Sequence, residues 1–216
     1  MGVRARREQE KLARRERILD AAEQIFFTKG AERSTMDDIA RAAQLSRGLL
    51  YVYFRDKSAI LEAVMLRAAE ALRCRFRTLA ATDLCGHDQI LAMGEAYYTF
   101  SLEQPDYFDL LTRAASDWPT LPPETSQQML ATCSGEVMAI MAEAIRRGVS
   151  DGSLAANQIR DPVQTALYLR GALHGVIMLT RQPDGLGLPA GQNAAALVHY
   201  TLETLGASLR STPTDN

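Results

Sequence analysis

The sequence predicts an all-α protein in two parts, a three-helix N-terminal domain built around a helix-turn-helix and a larger C-terminal helical domain. Three observations carry this. Apolar residues recur at helical spacing from Ile18 to Leu209, with no strand-like alternation and no internal repeat. The segment Ser34 to Lys57, STMDDIARAAQLSRGLLYVYFRDK, reads as two short helices joined by a tight turn. Proline and glycine punctuation falls between the periodic stretches, at Thr82 to Gly86, Trp118 to Pro123, Ser150 to Ser153 and Gln182 to Gly187.

The first helix carries Ile18, Ala22, Ile25 and Phe26 on one side and ends at Lys29-Gly30 in the manner of a C-cap. Ahead of it Arg4, Arg6, Arg7, Lys11, Arg14, Arg15 and Arg17 make a basic N-terminal arm. Such an arm can lie along phosphates or enter a minor groove, or it can be a solvated extension of the helix laced with i,i+4 pairs.

Thr35 caps the second helix, with Asp37 and Asp38 favouring its positive end, and Ile39, Ala40 and Ala43 form its apolar side. Gln44-Leu45 makes the turn. Ser46 caps a third helix, Arg47 to about Phe54, in which Leu50 packs back on the second and Arg47, Gly48 and Leu49 face outward. An outward Arg47 can fork onto a guanine edge, Gly48 lets the backbone come close, and Leu49 can touch a thymine methyl. The Tyr51 and Tyr53 hydroxyls suit phosphate oxygens, although Tyr51 can equally pack its ring inward. Lys57 follows Asp56, the cap of the next helix, and a cation in that first turn opposes the helix dipole. A bound phosphate would resolve the conflict, so Lys57 reads as a phosphate clamp.

A long helix from Asp56 to Leu79 connects to the second part, where helices are expected near 88 to 103, 105 to 115, 123 to 149, 160 to 181 and 191 to 210. Large, adaptable side chains there can line a ligand pocket between helices: Tyr97, Tyr98, Phe108, Trp118, Met138, Met141, His174 and Met178. Each is equally at home as plain core. The helix at 160 to 181 is apolar nearly all round, and Gly171 and Gly175 allow a close helix approach.

Composition bounds the function. With 216 residues and 47% hydrophobic content the chain can hold one large or two small domains with a true core. There is no apolar run of membrane-spanning length and no apolar signal core at the N-terminus, so a cytoplasmic protein is expected. Cys74, Cys85 and Cys133 lack both even number and C-x-x-C spacing, which argues for reduced thiols over a disulfide framework or zinc, with redox sensing by Cys85 as the other reading. Phosphate-loop, G-x-S-x-G and H-E-x-x-H patterns are absent, so an enzyme is not expected, and no metal or cofactor is called for. The net charge of −2 conceals an asymmetry: residues 1 to 60 hold 13 Lys/Arg against 9 Asp/Glu, +4, and the rest 11 against 17, −6. A basic end on an acidic body suits a protein that meets DNA with one end.

The run Thr35-Met-Asp-Asp-Ile-Ala, then Ser46-Arg-Gly-Leu-Leu-Tyr-Val-Tyr-Phe, then Asp56-Lys57 with Leu61 beyond resembles the N-terminal domain of TetR-family transcriptional regulators. Residues 14 to 66 carry the match. The resemblance implies a homodimeric repressor of palindromic operator DNA, released by a small-molecule effector, with residues 1–55 reading DNA and 56–216 sensing ligand and dimerising. Arg47, Gly48 and Leu49 would enter the major groove, with Thr35, Tyr51, Tyr53 and Lys57 on the backbone. Many members carry a hydroxyl residue where this chain has Leu49, which points to a methyl contact in place of a hydrogen bond. The implied four-helix dimer interface falls on Val163, Leu167, Gly171 and Gly175 with Val198, Leu202, Leu205 and Leu209; an intramolecular core for both helices is the alternative.

Overall fold

Side-chain caps start the helices where the sequence places them. The Thr35 hydroxyl accepts the Asp38 amide at 3.1 Å while the Asp38 carboxylate accepts the Thr35 amide at 3.0 Å, a complete capping box. Ser46 accepts from Leu49, Asp56 from Ala59, Asp161 from Val163 and Gln164, and Asn193 from Ala196. In the computed structural model, which describes residues 2–113, 126–181 and 193–211, these caps open helices and no strand is present among the described residues. The order is α1 (Val3–Lys29), α2 (Met36–Ala42), α3 (Arg47–Tyr53), α4 (Lys57–Ala80), α5 (Gly86–Glu103), α6 (Pro105–Arg113), α7 (Ser126–Ser150), α8 (Pro162–Thr180) and α9 (Ala194–Leu209).

The basic arm of the sequence reading is helix: α1 runs unbroken from Val3. Residues 4 to 14 are all exposed, and the first buried residues of α1 are Ile18 and Leu19.

Two compact units form, Met1–Ala69 with Asp109–Leu130 and Glu70–Phe108 with Ala131–Asn216, and α4 contributes to both. In the first, Ile18, Leu19 and Ala22 of α1 are buried with Ile39 of α2, Leu50 of α3 and Ile60, Val64 and Met65 of α4. Burying each large side chain in such a core stabilises by about 1.5–3 kcal/mol relative to exposure. Arg67 of α4 then ties α1 down across about two turns, bonding Glu16, Asp20 and Glu23. The HTH turn needs a left-handed residue, and Gln44 supplies it with φ 57°.

In the second unit α5 packs with α8 and α9, and glycine removes the side chain at two close approaches of α5 to α9 and one of α5 to α7. A Cβ at Gly94 would lie 2.5 Å from Leu202, one at Gly206 2.5 Å from Leu91, and one at Gly86 2.1 Å from the backbone of Gly148 on α7. The chain after α9 is pinned by a single antiparallel bridge between Leu154 and Arg210.

The α9 residues of the expected interface lie inside the chain's own packing. Val198, Leu202 and Leu209 are buried and Leu205 is half-buried, because α9 turns its leucine face onto α5 and α8. By contrast Val163 and Leu167 of α8 are exposed, and among the described residues nothing lies within 4 Å of a Cβ added at Gly171 or Gly175. The close approach expected at those glycines does not occur among the described residues of the chain.

Candidate functional site

Recognition-helix geometry follows from one buried residue. Leu50 is fully buried, so α3 is fixed by that side and presents Arg47, Gly48, Tyr51 and Val52 to solvent, with Leu49 and Tyr53 half-exposed. Arg47 reaches across to Asp37 at 3.3 Å and stacks its guanidinium 5.7 Å from the centre of the Tyr51 ring. The Tyr51 hydroxyl, followed by Asp37, holds the guanidinium firmly protonated. Tyr51 thus neither packs inward nor stands alone; it braces the arginine. Thr35 is exposed at the start of α2, where its hydroxyl donates to Asp38. Hydrogen bonds from Lys29 and Thr35 hold the Asp38 carboxyl down at about 2, so the cap stays charged.

Lys57 lies against backbone oxygens. Its ammonium donates to the carbonyls of Ala31 at 2.7 Å, Glu32 at 3.0 Å and Ser34 at 2.9 Å. An ammonium has three N–H donors, so all are in use and none is aimed at a phosphate. The conflict between a cation and the α4 dipole is real, but three carbonyl oxygens of the α1–α2 loop resolve it. Lys57 is a tether of that loop, and through it of the start of α2.

In the second unit the structure joins three of the expected pocket residues. Tyr97 of α5 and His174 of α8 share a hydrogen bond of 2.8 Å between the phenol oxygen and Nδ1. Phe108 of α6 lies beside both, with ring centres 5.5 Å from Tyr97 and 5.8 Å from His174. Burial pushes the Tyr97 phenol up and the His174 imidazole down, and Arg170, one turn before His174, also lowers the imidazole. Neutral His174 can then accept from the phenol. Met138 and Met141 are buried on α7. Tyr98 faces elsewhere, its ring edge-on to His199 of α9 at 5.8 Å, and Met178 is exposed. Trp118 lies outside the described residues. Sequence reasoning missed Arg181, whose guanidinium sits 5.2 Å over the Phe108 ring and donates to the Ser101 carbonyl; nothing in its sequence neighbourhood marks it. Among the described residues no group of three or more His, Cys, Asp or Glu is placed to hold a metal ion, and no helix is long and apolar enough to cross a membrane.

A helix-turn-helix with an exposed recognition helix and a second helical unit are the parts of a helix-turn-helix DNA-binding protein, and comparison with known proteins narrows the class. Residues 18–64 match the family described as bacterial regulatory proteins, tetR family, and residues 90–205 match the tetracyclin repressor-like C-terminal domain. The chain belongs to the TetR family of transcriptional regulators. It is 24% identical to the HTH-type transcriptional regulator SrpR of Pseudomonas putida over 92% of this chain and 86% of that protein. Over a 54-residue segment, 25% of this chain and 26% of the other, it is 44% identical to the HTH-type transcriptional repressor BepR of Brucella suis. The fold is shared with a TetR/AcrR-family regulator from Thermobifida fusca, TM-score 0.71 at 24% identity, covering 92% of this chain and all of that one.

Proposed function

We propose that this regulator is a cytoplasmic homodimeric repressor that binds a palindromic operator and is released by a small-molecule effector. In this reading residues 1–55 read DNA: Arg47, Gly48 and Leu49 meet base edges, while Thr35, Tyr51 and Tyr53 meet phosphates. The remainder dimerises and senses. The observation that carries the reading is the outer face of α8, where Val163, Leu167 and Tyr168 are exposed around Gly171 and Gly175. Apolar side chains lining small residues on an uncovered helix face are what a second copy can cover. The effector would enter near Tyr97, Phe108 and His174 and act by preferring the state in which the two recognition helices are misplaced, lowering DNA affinity by its differential affinity for the two states.

The test joins assembly to DNA. Sedimentation of the wild-type chain is expected to give a dimer at micromolar concentration. Footprinting on the DNA upstream of its own gene is expected to give an inverted repeat with half-sites about one helical turn, ~34 Å, or a multiple apart. A monomer, or protection of a single half-site, overturns the proposal. A regulator that keeps its operator against every compound of a broad effector screen is the effector-independent alternative.

A further inference from the structure

A single stripe of α1 changes character at residue 17. At spacings of three and four, the positions Arg4, Arg7, Lys11, Arg14, Ile18, Ala21 and Ile25 lie on one side of the helix. From Ile18 onward that stripe is apolar, and Ile18 and Ala21 are buried. Before it the stripe is basic, exposed, and built of like charges at i,i+3 and i,i+4, an arrangement that destabilises a helix by itself. The first turn also lacks any acidic residue, so the cations oppose the dipole. Among the described residues no carboxylate pairs with Arg4, Arg7, Lys11 or Arg14, whereas Arg6, on the other side, pairs with Glu10 at 2.9 Å.

The stripe also points to a particular place. Arg15, which flanks the stripe four residues after Lys11 and three before Ile18, lies 5.1 Å over the ring of Phe54, the cap of the recognition helix α3. The basic side of α1 is therefore the side turned toward the DNA-reading helices, and its basic part comprises the 15 residues from Val3 to Arg17. At about 1.5 Å per residue that is roughly 22 Å of cationic rod, the length of about six phosphates along one strand.

We infer that the first four turns of α1 are a second DNA-contacting element, a rigid helix laid along the phosphates beside the recognition-helix contact. This rests on the family's DNA binding and on no effector. Phosphates relieve both the like-charge repulsion and the dipole conflict, and they carry no base preference.

The test compares two variants of equal charge change, Arg7→Gln/Lys11→Gln on the stripe and Arg6→Gln/Arg17→Gln off it, by titrating a mixed-sequence duplex of about 40 base pairs at several salt concentrations. The stripe variant is expected to bind about tenfold or more weakly near 0.15 M salt and to lose about 2 from the slope of log affinity against log salt per protomer. The off-stripe variant is expected to lose less than half of each. Circular dichroism should show both variants as helical as wild type, and a stripe variant whose loss comes only with lost helix overturns the inference. Equal losses from the two variants would mean unspecific attraction and overturn it as well, as would wild-type binding by the stripe variant. A wild-type chain that binds no duplex at all overturns the DNA reading itself along with this extension of it.

Discussion

Two cations ten residues apart, Arg47 and Lys57, do opposite jobs. Arg47 is exposed, braced by Tyr51 and free to exchange Asp37 for a base edge. Arg47→Ala is expected to relax base preference at one half-site position by about 5- to 150-fold while leaving the urea midpoint unchanged. Lys57 is committed to three carbonyls, so Lys57→Met is expected to cost about 1–3 kcal/mol of folding stability, and to weaken DNA binding only as far as the α1–α2 loop loosens. Operator titrations beside urea melts separate the two, and a Lys57 variant of wild-type stability with a flattened salt dependence would return it to the phosphates. The capping residues Thr35, Ser46 and Asp56 were legible because a cap and its amides lie within three residues. The role of Lys57 was not, because its acceptors lie 23 to 26 residues away and no local pattern encodes them.

Among the described residues helix positions from α2 onward were legible, since period and punctuation are properties of one segment, whereas the start of α1 was left open between arm and helix. Helix faces were not. A helix such as α9, apolar on several sides, offers no contrast by which to choose the inner one, and its leucines proved to be core. The glycines divide in the same way. Gly86 meets the Gly148 backbone and so serves the packing of the chain itself, whereas Gly175 meets nothing among the described residues. Gly86→Ala is expected to destabilise the protomer by about 1–3 kcal/mol, because backbone cannot step aside as a side chain can. Gly175→Leu is expected to do the reverse, leaving the protomer as stable or up to about 1 kcal/mol more so through helix propensity while weakening the dimer. Thermal melts with sedimentation equilibrium read both, and a Gly175→Leu dimer as tight as wild type would take α8 out of the interface.

At the scale of the whole molecule, acid should act twice. His174 sits below its ordinary value near 6.5 through burial, so the unfolded chain takes its proton first, and this contribution to stability is present above about pH 6.5 and declines as the pH falls below it. Asp38 is held at about 2 against an ordinary 3.8, so its contribution is intact above about pH 4 and is lost as the pH falls toward 2. Urea midpoints are expected to fall gently between pH 7 and 5 and steeply below 4. His174→Phe should flatten the first fall and leave the second, and an unchanged profile in that variant would show that the imidazole takes its proton equally readily in both states.

The clasp of α4 on α1 also orders events in time. A nascent chain presents α1, then α2 and α3, and helices of seven residues do not hold their shape alone in water. What fixes them arrives later, when Lys57 reaches back to residues 31 to 34 and Arg67 reaches back to α1. Until the ribosome has made α4 the reading head has no settled form, so an incomplete polypeptide stopped short of it cannot occupy the operator in place of the finished protein.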